Sequence, residues 1–123
     1  MATVICLDTH VVACEHQRLS ATGRRAVEEH ELLVSPAVVL ELQSLFETKR
    51  TTTAGTAVID DLAGRIGLAV CDLPFPSVAR EAVSQNWTRD PLDRMIVAQA
   101  AIRGTSLLTK DRVIRRRYAP AFW

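Results

Sequence analysis

The apolar residues of the chain form several short continuous runs. The clearest run is Val4–Leu7, and others lie at residues 32–34, 68–71 and 106–108. Runs of this length, bounded by turn-forming or polar residues, are typical of buried strands in a parallel sheet that is covered on both faces. The pattern therefore predicts four short strands.

The segments between these runs carry residues that start and stop helices. Ser35 followed by Pro36 predicts a helix start, because serine caps well and proline fits the first helical position. Asp90 followed by Pro91 predicts another start in the same way. Gly104 ends that helix, and Gly67 ends the helix predicted over residues 57–66. The predicted helices cover residues 24–29, 36–49, 57–66, 78–83, 91–103 and a basic segment after residue 111, and a polar loop covers residues 51–55.

Strands that alternate with helices over short connections predict an α/β fold with a mainly parallel central sheet. The 123 residues contain no repeat or linker, so we expect one domain over residues 1–123. In such sheets, ligands bind beyond the carboxyl ends of the strands. Residues of a site should therefore follow strands or begin helices.

Composition narrows the class of protein. The chain is 48% hydrophobic and 24% charged with a net charge of +1, which is typical of a water-soluble domain that is not basic overall. It shows no signal-peptide pattern and no apolar stretch near the roughly 20 residues that a membrane span needs. The 3 cysteines form no CxxC pair, which favours reduced thiols in the cytoplasm and makes a zinc site improbable.

Basic residues are concentrated in the last quarter of the chain. After Asp93 there is one acid, Asp111, among these basic residues: Arg94, Arg103, Lys110, Arg112, Arg115, Arg116 and Arg117. A local basic surface can bind a polyanion even when the total charge is balanced. A solvated helix face explains the same pattern, and charge alone leaves both interpretations open.

Two acidic residues follow predicted strands. Asp8 comes directly after Val4–Leu7, and Asp111 lies just beyond the strand at 106–108. Both positions are at the strand ends where a site is expected. Each also has a structural explanation, since Asp8 can start a turn and Asp111 can cap the basic helix.

Three further acids lie on or beside predicted helices. Glu41 is flanked by Leu40 and Leu42, and partly burying its charge is costly unless a cation or a hydrogen-bond donor compensates. Pairing with an arginine is the structural alternative for Glu41. Asp90 and Asp93 begin a helix, where a cap and the helix dipole would explain both, although Asp93 can also face a cleft.

If Asp8, Glu41, Asp93 and Asp111 lie together, their four carboxylates repel one another. Such a cluster persists only with raised pKa values or with bound cations. Oxygen ligands of this kind suit Mg²⁺ or Mn²⁺, which can activate water and neutralise a phosphodiester. Nearby Arg89, Arg94 and Lys110 could then contact the backbone of the substrate.

These segments together resemble the PIN-domain ribonucleases, and in particular the VapC-type toxins of bacterial type II toxin–antitoxin pairs. The matching pieces, which occur in the family's order and span nearly the whole chain, are Leu7-Asp8-Thr9-His10, Ser35-Pro36 through Leu40-Glu41-Leu42, Thr88-Arg89-Asp90-Pro91-Leu92-Asp93-Arg94-Met95-Ile96 and Leu108-Thr109-Lys110-Asp111. The third and fourth pieces are the most specific.

The resemblance implies a three-layer α/β/α domain with a metal site formed by four acids: Asp8, Glu41, Asp93 and Asp111. It assigns Asp90 to a frequent additional acid, and it places Thr9 and Thr109 at polar positions that orient ligands or water. It further implies Mg²⁺ or Mn²⁺ as cofactor, endonucleolytic cleavage of RNA, a homodimer, and inhibition by a VapB-type antitoxin. Residues 11–14 depart from the family, because they lack the tryptophan-rich ending that often follows the first piece.

Other functions fit the pattern less well. An aspartyl phosphatase of the haloacid-dehalogenase type needs a second aspartate two residues after Asp8, where His10 stands, and a phosphoacceptor domain needs a pair of acids there. A DNA-directed or repair-type PIN nuclease is the nearest alternative, since the metal chemistry cleaves either backbone. A non-catalytic PIN-like binding module would be favoured by loss of an acid, but all four are present.

Overall fold

A computed structural model describes residues 3–13 and 19–123 of the chain. Within those residues, successive strands are separated by one or two helices. The strands are β1 (Val4–Leu7), β2 (Glu31–Val34), β3 (Ala69–Val70), β4 (Ser106–Leu108) and β5 (Ala121–Phe122). The helices are α1 (Thr9–Ala13), α2 (Ala21–Glu29), α3 (Pro36–Glu47), α4 (Gly55–Ile66), α5 (Phe75–Ser84), α6 (Pro91–Arg103) and α7 (Arg112–Arg117).

The five strands form one parallel sheet in the order β3-β2-β1-β4-β5. The central strand β1 pairs with both neighbours, with Ile5 opposite Leu32 on one side and opposite Ser106 on the other. Its residues Ile5, Cys6 and Leu7 are all buried, although successive side chains of a strand point to opposite faces. Helices therefore cover both faces, which confirms the predicted three-layer α/β/α architecture.

The order of the strands places a crevice beside β1. From β1 the chain moves outward through β2 to β3, and it then returns to the other side of β1 for β4 and β5. β1 and β4 are neighbours in the sheet, and the chain leaves their carboxyl ends towards opposite edges of the sheet. Ligands of open α/β sheets bind in the crevice that opens at such a point.

The predicted helix ends are confirmed by their local geometry. Ser35 caps α3, because its Oγ accepts a hydrogen bond from the Ala37 amide at 3.1 Å. Gly67 and Gly104 end α4 and α6 with φ angles of 72° and 67°, in the left-handed region that favours glycine. These positions fix where the chain leaves each helix for the next strand.

Two elements were not predicted. Strand β5 has only two residues, Ala121 and Phe122, and is recognisable only from its pairing with β4. Helix α1 has five residues, which is too short for a helical period to show. Both lie next to the carboxyl edge of the sheet.

Three local features differ from prediction, one in burial and two in where a helix begins. The segment 68–71 was expected to be a buried strand, but Ala69 and Val70 are exposed, because β3 is an edge strand with one neighbour. Helix α5 begins at Phe75 instead of residue 78, since Pro76 fits the first turn of a helix. Gly55 begins α4 instead of ending a loop, and a Cβ there would lie 2.7 Å from the Gln43 amide nitrogen of α3.

Two of the three cysteines can be placed. Cys6 and Cys71 are buried free thiols, as predicted, and Cys14 lies outside the described residues. No helix within the described ranges is both long enough and apolar enough to cross a membrane.

Candidate acidic metal site

Asp8 lies at the first position after the central strand. Its amide donates to the Leu108 carbonyl at 3.0 Å, so the residue still follows the β1–β4 pairing. The side chain is only 5% exposed. Its Oδ1 accepts from the Thr9 amide at 2.8 Å, and its Oδ2 accepts from the Thr109 hydroxyl at 2.6 Å. Both carboxylate oxygens of Asp8 are therefore held in place.

Thr109 connects Asp8 to Asp111. While its hydroxyl donates to Asp8, the same oxygen accepts from the Asp111 amide at 3.0 Å. Asp111 in turn caps α7, since its Oδ1 accepts from the amides of Val113 and Ile114 at 2.8 and 3.1 Å. The predicted helix cap at Asp111 is confirmed. We call Asp8 and Asp111 the threonine-linked pair.

Three other acids converge at the same edge from two helices. Glu41 comes from α3, and Asp90 and Asp93 come from the start of α6. One ligand atom from each of the three lies within 4.8 Å of the others, a spacing that allows one metal ion to contact all three. We call these residues the carboxylate triangle. Asp90, whose role the sequence left open, belongs to it.

Asp90 both caps α6 and faces the triangle. Its Oδ1 accepts from the amides of Leu92 and Asp93 at 2.9 and 3.3 Å, which confirms the predicted cap. The preceding loop is held from two sides, because Thr88 Oγ1 accepts from the Asp90 amide at 3.2 Å and the Thr88 carbonyl accepts from Arg94 Nε at 2.8 Å. Arg94 therefore braces the loop that presents Asp90.

Burial and mutual repulsion raise the pKa values of three of the acids, Asp93, Glu41 and Asp8. The pKa of Asp93 rises to about 7, first because of burial and then because of the charges of Asp90, Asp8, Glu41 and Asp111. Burial also raises the pKa of Glu41, with further contributions from Asp8 and Asp90, and it raises that of Asp8 against the opposing hydrogen bonds from Thr109 and Thr9. In all three, burial is the main cause and the charges of neighbouring acids add to it, so the charged form of each carboxylate is disfavoured.

Among the described residues, no basic side chain forms an ion pair with the acids of the site. Within residues 3–13 and 19–123, the one ion pair joins Arg65 and Asp61, which lie on α4. The arginine pairing considered for Glu41 is therefore absent from this part of the chain. Thr9 Oγ1 is fully buried and makes no hydrogen bond of standard geometry among these residues, but it lies close enough to Glu41 to oppose the rise in the pKa of that carboxyl. An oxygen-rich site without an ion pair among the described residues fits a divalent cation.

A cleft of about 370 Å³ opens beside the threonine-linked pair. The residues that line it are Asp8, His10, Val11, Leu19, Lys110, Asp111 and Trp123. His10 is exposed, and its imidazole acts on the pKa of both Asp8 and Glu41, lowering each. The two acids of the threonine-linked pair thus form part of the lining of this cleft.

The basic residues expected to contact substrate have different surroundings. Arg89 Nη1 donates to the Asn86 carbonyl at 3.1 Å, and Arg94 is half-buried against Thr88. Lys110 is exposed at the cleft, with its ammonium 5.8 Å from the centre of the Trp123 ring. Of these basic residues, Lys110 is the one that lines the cleft.

Sequence reasoning missed His10 and Trp123 as residues of the site. His10 could have been predicted to lie at the site, because it follows Asp8 by two residues and both come just after the end of β1. Trp123 gave no comparable indication, since its place depends on the unpredicted pairing of β5 with β4.

Comparison with known proteins places this arrangement in a family. The model of the family described as "PIN domain" matches residues 5–120. The chain is 35% identical over 126 residues to ribonuclease VapC22 of Mycobacterium tuberculosis, covering 96% of this chain and 95% of that protein.

Solved structures share the fold at low identity. A toxin–antitoxin complex from Klebsiella pneumoniae matches with a TM-score of 0.68 at 13% identity, over 97% of this chain and 96% of that chain. VapBC2 from Rickettsia felis, bound to a DNA fragment from its promoter, matches with a TM-score of 0.65 at 14% identity, over 98% and 96%. VapBC-1 from nontypeable Haemophilus influenzae matches with a TM-score of 0.58 at 15% identity, over 98% and 96%.

Proposed function

The chain belongs to the PIN domain family, and we propose that it is a divalent-metal-dependent endoribonuclease that acts as the toxin of a toxin–antitoxin pair. The observation that carries the proposal is the convergence of the carboxylate triangle and the threonine-linked pair at one edge of the sheet, where no basic side chain of the described residues forms an ion pair with them. The similarity to ribonuclease VapC22 over nearly the whole chain supports RNA as the substrate.

The carboxylate triangle is the proposed binding site for the cation. Glu41, Asp90 and Asp93 offer ligand atoms close enough to share one ion, and Asp8 and Asp111 add negative charge beside them. We propose Mg²⁺ or Mn²⁺, because both prefer carboxylate oxygens and Mg²⁺ keeps several waters of its own. When bound, the cation would neutralise negative charge on a phosphodiester and make water a better nucleophile.

The chain's own residues hold the acids and position the substrate. Thr109 fixes Asp8 relative to Asp111, so the carboxylates on this side of the site are ordered before any ligand arrives. Arg94 fixes the loop before α6 and thereby the place of Asp90. Lys110 projects into the cleft beside these acids, where its ammonium can pair with a phosphate of the RNA backbone.

The partner is proposed to be a VapB-type antitoxin. The three structural neighbours come from VapBC or toxin–antitoxin complexes, and each covers nearly all of this chain. We further propose a homodimer that acts in the cytoplasm, as the similarity to VapC-type toxins implies.

Cleavage assays with matched variants test the activity. The purified chain should cleave RNA with Mg²⁺ or Mn²⁺ and not in a chelator, and Asp8→Asn or Asp93→Asn should each lower the rate at least about 100-fold, since each removes a charge that the site needs. Asp60→Asn is the matched control, because Asp60 is an exposed acid on α4, outside the site.

Several results would contradict the proposal. Full activity of both site variants, or wild-type activity in the chelator, would rule out the metal mechanism. Cleavage of single-stranded DNA in place of RNA would favour the DNA-directed alternative. Binding of RNA without cleavage under every metal condition would favour a non-catalytic module.

A further inference from the structure

The cleft beside the acids is lined by chemically different side chains. Asp8 and Asp111, the threonine-linked pair, contribute carboxylates, and Trp123 contributes an indole ring. Val11 and Leu19 add apolar side chains to the lining. A ligand that fits such a cleft needs a charged group that a metal site can bind, joined to a flat apolar group.

Trp123 is held in place by the backbone. It directly follows β5, which pairs with β4 through Phe122 opposite Leu108. The Thr109 amide donates to the Phe122 carbonyl at 2.9 Å, one residue before Trp123. Thr109 is also the residue whose side chain binds Asp8, so the indole and the acids are positioned by the same residue.

Lys110 occupies the space over the indole. Its ammonium lies 5.8 Å from the ring centre, within the range of a cation–π pair, and the side chain is exposed. A cation–π pair at an exposed site contributes less free energy than a nucleobase that stacks on an aromatic ring. A base can therefore displace the ammonium, which remains within the cleft to pair with a backbone phosphate.

We propose that Trp123 is a stacking platform for one nucleobase of the RNA strand, adjacent to the phosphodiester that a cation held by the acids would bind. The proposal deepens the ribonuclease function and rests on it for the identity of the ligand. A nucleotide has the required chemistry, since its phosphate suits the metal site and Lys110, and its base suits the indole. The site would recognise a base by its flat face and would discriminate weakly between the four bases.

An abasic scan of a short RNA tests the stacking directly. In an eight-nucleotide RNA that the enzyme cuts once, each base is removed in turn and kcat/KM is measured with Mn²⁺. We expect one position next to the cut at which the loss of the base slows the wild type about 5- to 150-fold. Trp123→Ala should abolish that penalty, and Trp123→Phe, which keeps an aromatic face, should retain part of it.

The control for this scan is Phe75→Ala. Phe75 is another partly exposed aromatic residue, at the start of α5 and outside the cleft, so this variant should keep the full abasic penalty. The same penalty in Trp123→Ala as in the wild type would overturn the proposal. The readout is the ratio of kcat/KM for the intact RNA to kcat/KM for the abasic RNA. A general loss of activity in the variant lowers both values and does not imitate the expected result.

Tryptophan fluorescence gives a readout that does not require cleavage. Titration with the intact RNA in a chelator should quench the wild type, whereas Trp123→Phe should lose the quench and keep only the signal of Trp87, which packs against the core and donates to Gln85. An abasic chain of equal length should quench little. Equal quenching by the abasic chain, or quenching by a basic octapeptide and not by the RNA, would overturn the proposal.

The two assays separate the proposals. RNA-specific quenching by a protein that cleaves nothing would refute the ribonuclease function and support the stacking site. Metal-dependent cleavage with an unchanged abasic penalty in Trp123→Ala would refute the stacking site alone.

Discussion

The threonine-linked pair and the carboxylate triangle lie at the same edge of the sheet but differ in what their oxygens contact. In the pair, both oxygens of Asp8 accept hydrogen bonds, and Asp111 Oδ1 accepts from two amides of α7. In the triangle, Asp90 accepts from backbone amides, whereas Glu41 and Asp93 accept no ordinary hydrogen bond from the described residues. The pair is ordered by hydrogen bonds, whereas the triangle has fewer donors among the described residues and is the proposed cation site.

This difference has a physical origin in the elements that carry the acids. The pair follows strands β1 and β4, where amides and hydroxyls of the adjoining turns supply donors. Glu41 lies in the middle of α3, where backbone amides are already used within the helix. A carboxylate in that position can be compensated only by another side chain or by a bound ion.

The largest expected effect concerns metal affinity. Asp93→Asn should weaken binding of Mn²⁺ at least about 100-fold, because Asp93 belongs to the triangle and also lies within reach of the charges of both acids of the threonine-linked pair. Asp111→Asn should weaken it about tenfold or less, since Asp111 Oδ1 is engaged in capping α7. Isothermal titration calorimetry with Mn²⁺ and no RNA measures both. Equal losses in the two variants would remove the proposed distinction between triangle and pair.

The second prediction concerns pH. The pKa of Asp93 is about 7 in the metal-free protein, so binding of a cation releases a proton below that pH. We expect the affinity for Mn²⁺ to rise about tenfold per pH unit from about pH 5 towards 7 and then to level. Asp93→Asn should flatten this dependence, and Asp60→Asn should leave it unchanged. An affinity independent of pH in the wild type would contradict the raised pKa.

The same raised pKa fixes the sign of a stability effect. An unfolded aspartate titrates near a pKa of about 4, so between about pH 4 and 7 the folded chain keeps a proton that the unfolded chain has lost. The free energy of unfolding of the metal-free protein should therefore fall as the pH rises through this window. The loss should end above about pH 7, and urea unfolding in a chelator measures it as the difference between the wild type and Asp93→Asn.

The smallest effect compares two buried threonines. Thr109→Val leaves Asp8 Oδ2 and the Asp111 amide without their partner, which should lower the free energy of unfolding by about 2 kcal/mol. Thr9→Val removes a buried hydroxyl that makes no hydrogen bond of standard geometry in the described part of the chain, so it should change the free energy of unfolding by no more than about 1 kcal/mol. Urea unfolding of the metal-free proteins measures both, and a larger loss in Thr9→Val than in Thr109→Val would contradict the hydrogen-bond assignment.

Local sequence determined much of the scaffold. The continuous apolar run of β1, the cap formed by Ser35 and the left-handed glycines at 67 and 104 all act through neighbouring residues, and the structure confirms each. The caps at Asp90 and Asp111 were likewise predictable, because helix starts can be located from adjacent residues. The metal-binding role of the four acids stays a prediction. The edge strand β3 was misjudged as buried, since the number of its neighbours is not a local property.

Tertiary structure alone decided how the acids divide into two groups. Asp8 and Thr109 are 101 positions apart in the sequence, so the hydrogen bond that orders the pair cannot be located from adjacent residues. Only packing of α3 beside α6 brings Glu41 to Asp90 and Asp93. The position of Trp123 depends on pairing of the two-residue strand β5 with β4, and no apolar run in the sequence predicts that strand. Sequence determines local structure through contacts between near neighbours, whereas a site assembled from distant segments is fixed only when the sheet and its helices have packed.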